Sequence, residues 1–131
     1  MGVGPNFVLD KGMLVEGTTA ITVGEVLTAG VAEQSVVRAT TANTRTVYIA
    51  MESVDAATVS TKKCVVQVRP IGIARVISGA AITKGAMVTN DANAKVITQA
   101  TAGGNVLGIA QSATTAANQW VEVLLTPGAT L

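Results

Sequence analysis

At 131 residues and 13.2 kDa, with 49% hydrophobic and 13% charged residues, the chain suits one folded domain with a sizeable core and argues against disorder. A formal net charge of +1 supplies no long-range field to gather phosphates, which argues against nucleic acid, and no apolar run approaches the roughly 20 residues of a membrane-spanning helix. With no histidine and a single cysteine, the composition excludes Ser-His-Asp triads, Cys-His pairs, His-based or multi-cysteine metal sites and an internal disulfide.

Residues 1–12 read as an extended N-terminal arm, with an ordinary first strand or a disordered tail as the alternative reading. Two glycines, a proline without an amide hydrogen and the short run Phe7-Val8-Leu9 have no helical period, so the segment needs a partner to hold it. Val3, Pro5, Phe7, Val8 and Leu9 are its candidate contacts, with Phe7 the anchor. No charged region followed by an apolar stretch opens the chain, and a cytosolic protein is expected.

Residues 13–131 read as a single β domain. Val, Ile and Thr total 46, and β-branched side chains lose rotamer freedom in helices but pack well on pleated sheets. The aromatics are only Phe7, Tyr48 and Trp120, so the core must come from Val, Ile, Leu and Ala. Strands are predicted at 13–16, 20–28, 35–40, 46–53, 64–77, 86–89, 94–98, 106–112 and 119–125, separated by Gly, Asn and Thr. Nine short strands imply an all-β fold, a small barrel or sandwich. Ser53 to Thr61 is a candidate short helix. Cys64, followed by Val65 and Val66, reads as a small buried apolar residue. The stretch from Cys64 to Ile77 is too long for one flat strand, and Pro70 with Gly72 implies a bend, bulge or edge. Asn90 to Asn93 and Ala102 to Asn105 are turn sequences, the first predicting a hairpin. Trp120, beside Val121 and Val123, is assigned with Tyr48 to the core or a subunit interface.

The two halves resemble each other. Ile21, Thr22, Gly24, Thr28, Ala39 and Thr40 recur sixty-one positions later as Ile82, Thr83, Gly85, Thr89, Ala100 and Thr101. After a one-residue slip, Ile49, Ala50, Ala56 and Ala57 match Ile109, Ala110, Ala116 and Ala117. The domain therefore reads as two diverged repeats, about 20–61 and 81–121, joined by the long strand.

No catalytic, cofactor or metal site emerges. The eight carboxylates (Asp10, Glu16, Glu25, Glu33, Glu52, Asp55, Asp91 and Glu122) have no spacing that selects an acid/base pair. Thr89 to Asn93 lacks the regular oxygen ligands and closing glutamate of an EF-hand, and reads as a turn. Gly103-Gly104 has neither the Lys-Ser/Thr pair nor the helix of a phosphate loop.

The run from Ile71 to Gly128 resembles the small capsid decoration, or cement, proteins of tailed bacteriophages. Gly72-Ile73-Ala74, Ile82-Thr83-Lys84-Gly85, Asn90 to Asn93, Leu107 to Ala110 and Val121 to Leu125 carry the likeness. The resemblance implies a compact, β-tulip-like body that binds the outer surface of an expanded head as a trimer at threefold or quasi-threefold positions. Its arm would reach onto the major capsid protein, in a virion assembled in the host cytoplasm. It implies no enzyme activity, nucleic-acid binding or membrane attachment. Two other readings are an adhesion module that binds a glycan or host protein, with Trp120 as stacking platform, and a lipoyl- or biotinyl-type carrier modified at Lys84. The carrier lacks its Met-Lys-Met setting, since Gly85 follows Lys84.

Overall fold

The computed structural model describes residues 9–45, 47–60 and 64–131. These form β1 (Leu9–Val15), β2 (Val26–Ala29), β3 (Ser35–Arg38), β4 (Tyr48–Ala50), α1 (Ala56–Ser60), β5 (Val65–Ile77), β6 (Met87–Asn90), β7 (Val96–Thr98), β8 (Asn105–Ala110) and β9 (Trp120–Thr130). Each of the nine predicted strand regions overlaps one strand, with β1 starting earlier and β9 ending later than predicted, and the predicted helix is present. Asp55 caps that helix, its Oδ1 accepting from the Thr58 amide at 2.7 Å.

The strands follow the order β1-β3-β2-β4-β5-β9-β8-β6-β7, and an added β1–β5 pairing closes the first five into a barrel. β5 serves both halves, its first part pairing with β1 and β4 and its second with β9. The bend predicted near Pro70 is a register shift: Lys11 pairs with Val68, but Leu9 pairs with Ile71. Pro70 has no amide to donate, and an irregular step in the ladder is where a strand tolerates it.

β1 corrects the boundary drawn from sequence. Leu9 to Gly12, assigned to the arm, belong to the barrel through antiparallel pairing with β5. Asp10 fixes this contact with a two-pronged ion pair, Arg69 Nε donating to Oδ1 at 2.7 Å and Nη2 to Oδ2 at 3.0 Å.

The repeat is visible in the backbone hydrogen bonds. In the first half Ile21 and Val54 exchange two bonds, the Gly24 amide donates to Ala50, and the Ala50 amide donates to Glu25. In the second half Ile82 and Thr114 exchange two, Gly85 donates to Ala110, and Ala110 donates to Ala86. β2 pairs with β3 and β4 as β6 pairs with β7 and β8, all antiparallel.

Each half has a core. One cluster, including Met13, Leu27, Val36, Val59, Val66 and Val68, fills the barrel; the other, including Val76, Val88, Val96, Val121 and Val123, lies under the second half and takes in Val26 and Ile49. Cys64 is buried as expected, and burial raises its thiol pKa. A partly buried ion pair of the first half reaches the second: Glu25, 6% exposed, accepts from Arg38 Nε at 2.7 Å, while the Arg38 side chain, 24% exposed, donates from Nη2 to the Asn93 carbonyl at 2.9 Å. Arg38→Met is expected to cost about 3 kcal/mol, because it strands the Glu25 carboxylate, and chemical denaturation measures this directly.

Candidate interaction surface

Alternation along β5 and β9 sorts their side chains between two faces. Ala74, Val76, Val121 and Val123 enter the core, whereas Ile73, Arg75, Trp120, Glu122 and Leu124 face outward. Register then aligns apolar residues across four strands. Ile73 stands opposite Leu124, Leu124 opposite Ile109, and Ile109 opposite Met87. At the usual strand spacing this row is about 14 Å long. Ile73, Leu124 and Met87 are 47%, 38% and 41% exposed, so the row faces outward on the sheet.

Trp120 borders this row. It pairs across the strands with Ile77, its ring packs on Gly24, and the Arg75 guanidinium carbon lies 5.1 Å from the ring centroid, a cation–π distance. Shallow clefts flank the ring. One is lined by Val23, Met51 and Ile73, the other by Thr22, Lys95, Asn118 and Gln119. Tryptophan, arginine and methionine are the residue types enriched where proteins bind one another, and contiguous exposed apolar surface is a mark of such sites.

Trp120 is thus not a core residue, the first of its two assigned places. It is 45% exposed, because it alternates with the buried Val121 and Val123. Tyr48 is half-buried in β4 and packs against the barrel core. Of the arm contacts, Val3, Pro5, Phe7 and Val8 lie outside the described residues, and Leu9 begins β1. Lys84 is exposed, in the turn that precedes β6. Sequence reasoning missed Ile73, Leu124 and Met87, although a period of two, applied from Ala74 and Val123, marks the first two as outward-facing.

Most of the carboxylates hold backbone or guanidinium groups. Asp10 and Glu25 take arginines; Glu16 accepts from the Val31 and Ala32 amides, Glu52 from Gln67, Asp55 from Thr58, and Asp91 from Asn93 and Lys95. The Asp91 bonds make the 90–93 segment a turn, as predicted, and β6 and β7 form its hairpin. Among the described residues no three metal-ligating side chains cluster. Hydrogen bonding from the Arg69 guanidinium lowers the Asp10 pKa, amides of Ala32 and Val31 lower that of Glu16, and the Thr58 amide lowers that of Asp55.

These shifts have a definite sign. A carboxylate held below its unfolded pKa, about 3.9 for Asp and 4.3 for Glu, contributes stability that is complete above those values and lost as pH falls through the folded pKa. The melting temperature is therefore expected to hold level from pH 7 to about 5 and to fall below about 4. In Glu16→Gln the acid decline should be shallower.

No protein-family model matches the sequence, and no curated protein matches it. The fold is similar to a solved structure described as the crystal structure of head fiber gp8.5 N base in bacteriophage phi29. The TM-score is 0.70, the match covers 95% of this chain and 98% of that chain, and 19% of residues are identical. At that identity, what the two chains share is the fold.

Proposed function

We propose that this chain is a non-enzymatic structural protein of a phage virion. It sits on the outer surface of the head as a homotrimer at threefold or quasi-threefold positions, where it binds the major capsid protein and stabilises the shell against internal DNA pressure. The observation that carries the reading is the end-to-end fold similarity to a phage head fiber base. It joins the resemblance of Ile71 to Gly128 to capsid decoration proteins, found independently of the fold.

The outward face suits such work. Packaged DNA pushes capsid subunits apart, and a protein that spans their seams opposes separation through area buried across each seam. Three modest contacts in one trimer reinforce one another, since release requires all to open together. Low charge keeps the desolvation cost of dry contacts small. Within this reading the row from Ile73 to Met87, with Trp120 at its border, is a subunit or capsid interface. The arm reaches the major capsid protein through Val3, Pro5, Phe7 and Val8. Arg75 already stacks on the Trp120 ring, which favours an interface over a free platform for sugars.

Two variants test the assignment of surfaces. A chain lacking residues 1–8 keeps the whole of β1 and is expected to fold normally yet lose head binding. Leu124→Asp changes an exposed position and is expected to weaken head binding at least tenfold with little change in melting temperature. Full binding by both variants would remove these surfaces from the mechanism, and glycan binding without heads would transfer the reading to an adhesion module.

A further inference from the structure

The apolar row from Ile73 to Met87 has a charged neighbour on the same face. Two residues further along each strand, about 7 Å away, Arg75 of β5 stands opposite Glu122 of β9, as Ile73 stands opposite Leu124. Both side chains are exposed. Opposite charges at facing positions of neighbouring strands ordinarily attract each other. Here they do not join: among the described residues the ion pairs are Arg38 with Glu25 and Arg69 with Asp10. The Arg75 guanidinium lies instead over the Trp120 ring, 5.1 Å from its centroid. Glu122 is therefore left without a cation among the described residues.

An apolar row bordered by one cation and one anion restricts what can cover it. A surface of either sign attracts one charge and repels the other, and a charge left unmatched at the margin of a closing apolar contact is costly to desolvate. A second copy of the same face brings both signs. Residues opposite each other in register lie at one level along the strands, so a symmetry axis that runs along the strands between β5 and β9 keeps the levels matched. Such an axis sets row against row and brings Arg75 of one copy to Glu122 of the next. Each copy then contributes one ion pair to the assembly, whether the axis is twofold or threefold.

We propose that this face binds the same face of another copy of this chain, with Arg75-to-Glu122 ion pairs between copies, and does so without a capsid present. This deepens the proposed function by making the row a subunit contact, and the number three rests on that reading. A row about 14 Å long is narrow for a protein interface, so the copies separate on dilution. Melting in dilute solution then reports the single chain, and the melting temperature of the wild-type chain rises with concentration.

Sedimentation equilibrium of the free, full-length chain tests this by charge reversal. Arg75→Glu leaves two anions on the face and Glu122→Arg leaves two cations; each is expected to weaken self-association at least about tenfold, since like charges then meet. The double variant carries the two charges exchanged and is expected to recover the wild-type association. Both positions are exposed, and backbone amide spectra of the dilute variants check that the fold is kept. A wild-type chain that stays monomeric up to millimolar concentration would overturn the proposal. So would association that the single reversals leave unmoved, or that the double variant does not regain. Head binding is read separately: a chain that is monomeric alone yet binds heads overturns this inference and leaves the capsid contact standing, whereas self-association without head binding does the reverse.

Discussion

Gly24→Ala is expected to destabilise the protein by about 3 kcal/mol, and Gly85→Ala, the same change at the matching position of the other repeat, by about 1 kcal/mol. Both glycines have nearly the same left-handed backbone, with φ of +87° and +88°. A side chain at either position therefore meets the same strain. The surroundings differ. A Cβ on Gly24 would lie 2.3 Å from Trp120 Cζ3 and 3.2 Å from Ile77 Cγ1, whereas a Cβ on Gly85 meets nothing within 4 Å. The extra cost is displacement of the indole ring from its seat. Trp120 is the sole tryptophan, so its fluorescence reports this separately from stability. The emission should shift in Gly24→Ala and stay constant in Gly85→Ala. Equal costs with unchanged emission would show that Trp120 does not rest on Gly24.

Asn90→Ala is the second large effect, also about 3 kcal/mol. Asn90 is fully buried in β6 and makes four side-chain hydrogen bonds. Its Oδ1 accepts from the Thr44 amide at 2.9 Å and the Thr44 hydroxyl at 2.8 Å, and its Nδ2 donates to the carbonyls of Thr41 at 2.8 Å and Asp91 at 3.0 Å. The loop before β4 in the first half is thereby fastened to a strand of the second. Alanine leaves the Thr41 carbonyl and Thr44 amide without these partners, and desolvation of such groups is the main cost. Asn93→Ala alters an exposed side chain in the same turn and should change stability by less than about 0.5 kcal/mol. Urea denaturation of the two variants makes the comparison. A mild Asn90→Ala would mean that this junction does not couple the halves.

The strands were legible because their signals are local. β-branched runs bounded by Gly, Asn and Thr identify pleated segments, and the paired Ile-Thr-x-Gly openings mark turns whose hydrogen bonds recur in both halves. The ends of β1 and β9 were less legible. Leu9-Asp10-Lys11-Gly12 has no apolar alternation and is a strand because β5, more than fifty residues away in sequence, offers an edge and Arg69 offers Asp10 a partner. β9 continues to Thr130, past the predicted end at residue 125 and through Pro127 and Gly128. Its register with β8 shifts between Gly108 paired to Leu125 and Val106 paired to Ala129, so the proline falls at an irregular step. Gly108 matters here through close approach, since a Cβ would come within 2.4 Å of the Leu124 carbonyl oxygen.

The candidate surface was half legible. Period two, counted from the buried Val121 and Val123, places Trp120 outward, whereas its apolar neighbours taken alone leave it between the core and a subunit interface. The row from Ile73 to Met87 depends on register among four strands that lie far apart in sequence. No local pattern contains that information.

Binding of this chain to the outside of a phage head, as proposed, is tested by co-sedimentation with expanded, undecorated heads. Unexpanded procapsids and free protein serve as controls. Saturable binding to expanded heads alone is expected, with three copies at each threefold or quasi-threefold position. Absence of binding to any matched head, with the chain remaining in the supernatant, would contradict it.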